Sequence, residues 1–123
     1  MPLTLAEPAE IHVDHQLRIW HGGLVQGLSR TYLAIVVEAI TPQQDSFPLP
    51  VDVVLALQRS VSVTFSRDGD ERLQYSMIAG AEDLASMVWS AAFPRLEPGT
   101  YEMHIDVGTL RIHYATKFDV AAY

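Results

Sequence analysis

The stretch Leu96-Glu97-Pro98-Gly99-Thr100-Tyr101 sets the reading of this chain. A hydrophobe, a Pro-Gly turn and a tyrosine opening an alternating strand make the pattern of a tyrosine corner. In such a corner the phenol hydroxyl bonds back to upstream backbone and pins the connection between two strands of a Greek-key sandwich. The motif predicts a buried Tyr101 with its hydroxyl on backbone. It turns a set of strand-like runs into a topology and carries no chemistry of its own.

Downstream, Tyr101, Met103, Ile105 and Val107 share one face with Leu110, Ile112, Tyr114, Phe118 and Val120. Period two marks a half-buried strand, so 101–107 and 110–120 are expected to close the domain as a hairpin. Upstream, Glu10 to Ile19 alternates as one strand, and His21-Gly22-Gly23 is expected to end it as a turn. Thr31 to Ile40 is apolar on both faces and β-branched, which suits a central strand. Pro42, Pro48 and Pro50 make 41–50 a loop. Val51, Val53, Leu55 and Leu57 predict a further strand, interrupted at 58–60. Val61, Val63 and Phe65 predict a strand that turns at Asp68-Gly69, with Phe65 opposite Leu73, Val63 opposite Tyr75 and Val61 opposite Met77. Helical and strand spacings compete over 79–93. The corner that follows favours a loop or helical turn over 79–84 and a strand over 85–93.

Such patterning over 123 residues, 49% hydrophobic and 19% charged, predicts a single all-β domain spanning 1–123. An antiparallel Greek-key β-sandwich of about seven to nine strands accommodates it. The net charge of −7, from 15 acids against 8 Lys and Arg, argues against nucleic acid and anionic membrane surfaces as partners. With no cysteine there is no disulfide, thiolate metal site or cysteine nucleophile. No basic n-region and no membrane-length apolar run is present. Two compartments stay open: the cytoplasm, or export with a signal removed.

One arrangement could carry chemistry. If Gly108-Thr109 forms a two-residue turn, His104 stands opposite His113 and Asp106 opposite Arg111, with facing Cβ atoms ~4.5–5.5 Å apart. Two imidazoles so placed could share a Zn, Cu or Ni ion, with Glu102 or Asp106 close by. The alternative is a pair of solvent-facing histidines in an edge hairpin. His12 and Asp14 share a strand face and offer either a metal clip or plain surface alternation. His15 is expected to be partly buried among Ile11, Val13 and Leu17. Met77, Met87 and Met103 read as core filling. Asp68-Gly69-Asp70-Glu71 reads as a hairpin turn rather than a calcium loop. No nucleophile elbow, His-Glu-x-x-His, phosphate loop or dinucleotide fingerprint occurs, so catalysis is not expected.

The Leu96 to Tyr101 corner and the alternating strands together resemble an immunoglobulin-like or fibronectin type III-like domain. The resemblance implies a sandwich and leaves activity open. The chain departs from antibody-type domains in lacking the cysteine pair, and Trp20 or Trp89 is the candidate core tryptophan. The function expected is a non-catalytic binding or assembly module. It would recognise a protein or glycan through a sheet edge or end loops, or pair with itself as a homodimer. The two-faced apolar run 33–37 inclines toward that dimer. Two alternatives are a small metal-binding domain on His104 and His113, and a ligand-binding sandwich or barrel lined by Trp20, Tyr32, Tyr75 and Trp89.

Overall fold

The computed structural model describes residues 3–43, 45–47, 49–67, 71–76, 78–79 and 88–121, with 71–76 and 78–79 as backbone alone. In chain order the elements are β1 (Leu3–Ala6), β2 (Ala9–Val13), β3 (Leu17–Gln26), β4 (Arg30–Ile40), β5 (Ser46–Phe47), α1 (Val51–Leu57), β6 (Val61–Arg67), β7 (Glu71–Ser76), β8 (Ile78–Ala79), β9 (Val88–Pro94), β10 (Gly99–Val107) and β11 (Ile112–Val120). All strand pairs are antiparallel, and the class is all-β, as the patterning predicts.

In sheet A, β1 and β2 share one edge of β3, followed by β4, then β9 and β8, while β5 pairs with the end of β4. Sheet B runs β11-β10-β6-β7. The two sheets interlock. β4 and β9 are neighbours in sheet A, and the long strands that follow each of them, β6 and β10, are neighbours in sheet B.

Alternation explains how the sheets face each other. Val61, Val63 and Phe65 of β6 and Met103, Ile105 and Val107 of β10 have no exposure at all, nor do Ile35, Val37, Trp89 and Phe93 of sheet A. Phe65 from sheet B meets Phe93 from sheet A edge-on at 5.1 Å, and Phe118 at 6.1 Å. Each such pair adds about 0.5–1.5 kcal/mol beyond burial itself. β4 is the central strand that its two-faced sequence predicts, pairing with β3 on one side and β9 on the other. Met103 fills core as expected, while Met77 and Met87 lie outside the described residues.

The corner forms. The Tyr101 hydroxyl donates to the Glu97 carbonyl at 2.8 Å, and its ring stacks on Phe118 at 5.4 Å and 7°. The buried Gln26 side chain ties this corner to sheet A: its Oε1 accepts from the Leu96 N–H at 3.0 Å and from the Thr31 hydroxyl at 2.9 Å. The β6–β7 register matches the reading for Phe65–Leu73 and Val63–Tyr75. The tip of that hairpin and the pairing proposed for Met77 fall outside the described residues.

Five local readings are corrected. Residues 51–57 form the helix α1 rather than a strand, with Val54 and Leu57 buried and Val51 and Leu55 half exposed. That i, i+3 burial outweighs the equally valid period-two reading, and Arg59, at φ 64°, ends the helix in the left-handed region. Glu10 to Ile19 is two strands, because Asp14 turns the chain. Its Oδ1 accepts from the N–H of Gln16 and Leu17 at 2.7 and 2.8 Å. His15 is consequently exposed in that turn rather than partly buried.

His21-Gly22-Gly23 is not a turn but a bulge inside β3: His21 pairs with Ile35 and Leu24 with Leu33, so two glycines oppose the single Ala34. Gly23 has φ 95°, and a Cβ there would lie 3.0 Å from the Ala6 carbonyl oxygen. Lastly, the β10–β11 turn is longer than two residues. A 3-10 turn over Gly108–Leu110, with Arg111 at φ 56°, leaves Leu110 partly exposed and sets Asp106 opposite His113 and His104 opposite Ala115. Ser60 selects this register. Its carbonyl accepts from the Gly108 N–H at 2.9 Å, and its hydroxyl accepts from the Thr109 N–H at 2.8 Å.

Among the described residues no helix is long and apolar enough to cross a membrane.

Candidate functional site

The outward face of sheet B is polar because the inward face takes every apolar position of β6 and β10. Glu102, His104 and Asp106 of β10 stand there between Ser62, Thr64 and Ser66 of β6 and His113, Ala115 and Lys117 of β11. The shifted register makes His104 and His113 diagonal rather than directly opposed. They still meet, because diagonal cross-strand neighbours lie within reach of long side chains. His104 Nδ1 lies 3.3 Å from His113 Nε2, with ring centroids 5.1 Å apart and planes 38° apart. Arg111, expected beside Asp106, sits in the turn instead, and His113 takes its place.

Each imidazole is also held from behind. His104 Nε2 is 2.5 Å from Glu102 Oε1, and His113 Nδ1 is 2.6 Å from Asp106 Oδ1. The four side chains thus form a line, carboxylate–imidazole–imidazole–carboxylate. Their exposures, 37% for Glu102, 29% for His104, 54% for His113 and 43% for Asp106, leave the centre open to solvent. An ionised carboxylate only accepts, so each back nitrogen carries the hydrogen. The two facing nitrogens are therefore both bare when the rings are neutral. Two lone pairs at 3.3 Å repel unless a proton or a cation lies between them. Among the described residues no group of three or more His, Cys, Asp or Glu side chains converges on one point. A closed four-ligand zinc site is therefore not formed by these residues.

The other histidines do different things. His12 Nε2 meets Asp14 Oδ2 at 2.9 Å on the exposed rim. That imidazole, with the Gln16 N–H, holds the Asp14 carboxyl down at about 2. His21 is buried between the sheets with its ring 5.5 Å from that of Tyr114. Its Nδ1 accepts from the Gly23 N–H at 3.1 Å, so Nε2 carries the hydrogen, and it has no hydrogen-bond partner among the described residues. Desolvation pushes its pKa below the ordinary imidazole value.

The outward face of sheet A differs from that of sheet B. The bulge puts Gly22 on the surface beside Ala34, Ser90 and Ala92, and these small residues floor a trough of about 370 Å³ walled by Val25 and Tyr32. Tyr32 is 50% exposed, and Leu28 at the adjoining β3–β4 tip is 88% exposed. Trp20 lies farther along the same face, its indole N–H donating to Glu38 Oε1 at 3.2 Å, where Arg18 also bonds at 2.7 Å. The cavity lined jointly by Trp20, Tyr32, Tyr75 and Trp89 is not formed as expected, since Trp89 points into the core and Tyr32 away from it. The Tyr75 side chain is outside the described residues. The trough itself escaped the sequence reading, because its signal is an absence of side chains spread over three strands. Comparison of the chain with protein-family models, with curated proteins and with solved structures returned no match to any of them.

Proposed function

We propose that this chain is a non-catalytic recognition module that binds a protein partner through the outward face of sheet A. The observation that carries the reading is the trough over Gly22, Ala34, Ser90 and Ala92, with the half-exposed Tyr32 in its wall. Exposed apolar surface next to a concave floor is what an aromatic or aliphatic anchor of a partner fills. The lining offers few polar side chains, Ser90 and the Tyr32 hydroxyl, which favours an apolar protein side chain over a sugar with its many hydroxyls. The interlocked strand order and the Tyr101 corner support an immunoglobulin-like arrangement, and that likeness bears on fold alone.

A photo-cross-linking residue at position 32, with the same residue at position 117 on sheet B as control, tests the reading in the native host. A discrete adduct at position 32 is expected, and the protein in it, once purified, should bind the parent chain at least tenfold more tightly than Ala92→Arg. If position 32 yields no more adduct than position 117, or Ala92→Arg binds undiminished, the trough is not the interface. A cross-linked homodimer lost in Ala92→Arg would identify the partner as a second copy.

A further inference from the structure

We propose that the outward face of sheet B holds one borderline divalent metal ion, zinc foremost, between Nδ1 of His104 and Nε2 of His113. The inference does not depend on the trough of sheet A. Three observations carry it. The first is the bite. Two ligand nitrogens each ~2.0–2.1 Å from a tetrahedral ion stand ~3.3 Å apart, and His104 Nδ1 and His113 Nε2 are 3.3 Å apart.

The second is the tautomers. Glu102 Oε1 at 2.5 Å and Asp106 Oδ1 at 2.6 Å each fix a hydrogen on the far nitrogen, which turns both bare nitrogens toward the gap. Metal-binding histidines are oriented in this way, with the back N–H on a carboxylate that raises the basicity of the ring. The third is charge and space. Two carboxylates flank the pair of imidazoles, a local negative charge that a dication balances, and Ala115 opposite His104 leaves the centre uncrowded on the β11 side.

The ion so held has two protein ligands. Its remaining positions go to water or to a small exogenous donor, because no third ligating side chain converges there among the described residues. Glu102 and Asp106 are positioning residues: they touch the rings, not the ion.

Titration calorimetry with zinc chloride alone at neutral pH is the test, read beside long-range proton–nitrogen correlation of the imidazoles. The parent chain should bind one zinc per chain at sub-millimolar metal. The nitrogen resonances that move should be His104 Nδ1 and His113 Nε2. His104→Ala and His113→Ala should each abolish the binding, and all these side chains are surface-facing, so the fold survives. Glu102→Gln and Asp106→Asn should weaken it by roughly tenfold or more, the effect usual for carboxylates behind metal-bound imidazoles. An absence of binding in the parent overturns the proposal. So does binding that persists in either alanine variant, or a shift confined to the back nitrogens.

Discussion

Replacing Tyr101 by phenylalanine removes one oxygen atom and leaves the rest of the corner in place, which makes it a clean measure of what the corner contributes. The ring is 3% exposed and stacked on Phe118 at 5.4 Å, and phenylalanine keeps that contact. What is lost is the 2.8 Å bond to the Glu97 carbonyl. A neutral intramolecular bond is worth about 0.5–1.5 kcal/mol net. Glu97 is exposed, so water can replace the phenol at its carbonyl, and the cost should lie near 1 kcal/mol rather than reach a full burial penalty. With a urea slope of about 1–3 kcal/mol per molar, the unfolding midpoint should fall by roughly 0.3–1 M with the slope unchanged. Tyr101→Ala, which empties the ring site as well, should cost about 3–5 kcal/mol. Equilibrium urea unfolding followed by tryptophan fluorescence reads all three proteins. A Tyr101→Phe midpoint within error of the parent would refute the idea that the bond pins the corner. A loss equal to that of Tyr101→Ala would refute the separation of bond from packing.

Three further outcomes follow, from His21 and from the two glycines beside it. His21 is held neutral by desolvation, so its folded pKa lies below the unfolded value of ~6.5, and the unfolded chain takes up the proton first. Its share of stability is therefore complete above that value and is lost as the pH falls below it. The imidazole nitrogens of His21 should keep the Nε2–H tautomer between pH 7 and pH 6, and a ring that titrates like a free histidine would contradict the burial argument. Gly23→Ala forces a side chain onto a φ of 95° with its Cβ 3.0 Å from a carbonyl, and should cost about 1–3 kcal/mol and loosen the amides of Leu3–Ala6 in hydrogen exchange. Gly22→Ala, whose Cβ would meet nothing nearer than 4.0 Å, should stay within about 0.5 kcal/mol of the parent in thermal unfolding.

Local signals that agreed with one another were legible in the sequence. The corner and the β6–β7 register each rest on alternation plus a turn or a flanking motif that points the same way, and the central β4 rests on a β-branched run that is apolar on both faces. Where two periods fit equally, as in Val51 to Leu57, the tertiary position decided: the chain must pass from β4 to β6, and a helical turn buries Val54 and Leu57 in doing so. The histidine pair was legible as a shared face and not as a register. The β10–β11 turn is chosen by its bonds to Ser60, 49 residues away from Thr109 in the chain, which no reading of the turn itself contains. The carboxylate behind His113 follows from that register, since only it sets Asp106 against His113, whereas Glu102 shares the strand face of His104 in any register.

The bulge in β3 has a consequence for how this domain tolerates insertions and deletions. Before it, odd-numbered residues such as Ile19 and His21 point inward; after it, even-numbered ones such as Leu24 and Gln26 do. The two halves of the strand are read in opposite phase, and the glycine pair is where the phase changes. Losing one residue at the β3–β4 tip would shorten a loop. Losing one of the two glycines would keep the length of the strand nearly the same while sending one half's buried set to solvent and its outward set, Arg18 and Trp20 among them, toward the core. The bulge thus behaves like a reading-frame marker for side-chain direction, and the lineage of this fold should carry its length variation at the hairpin tips and not here.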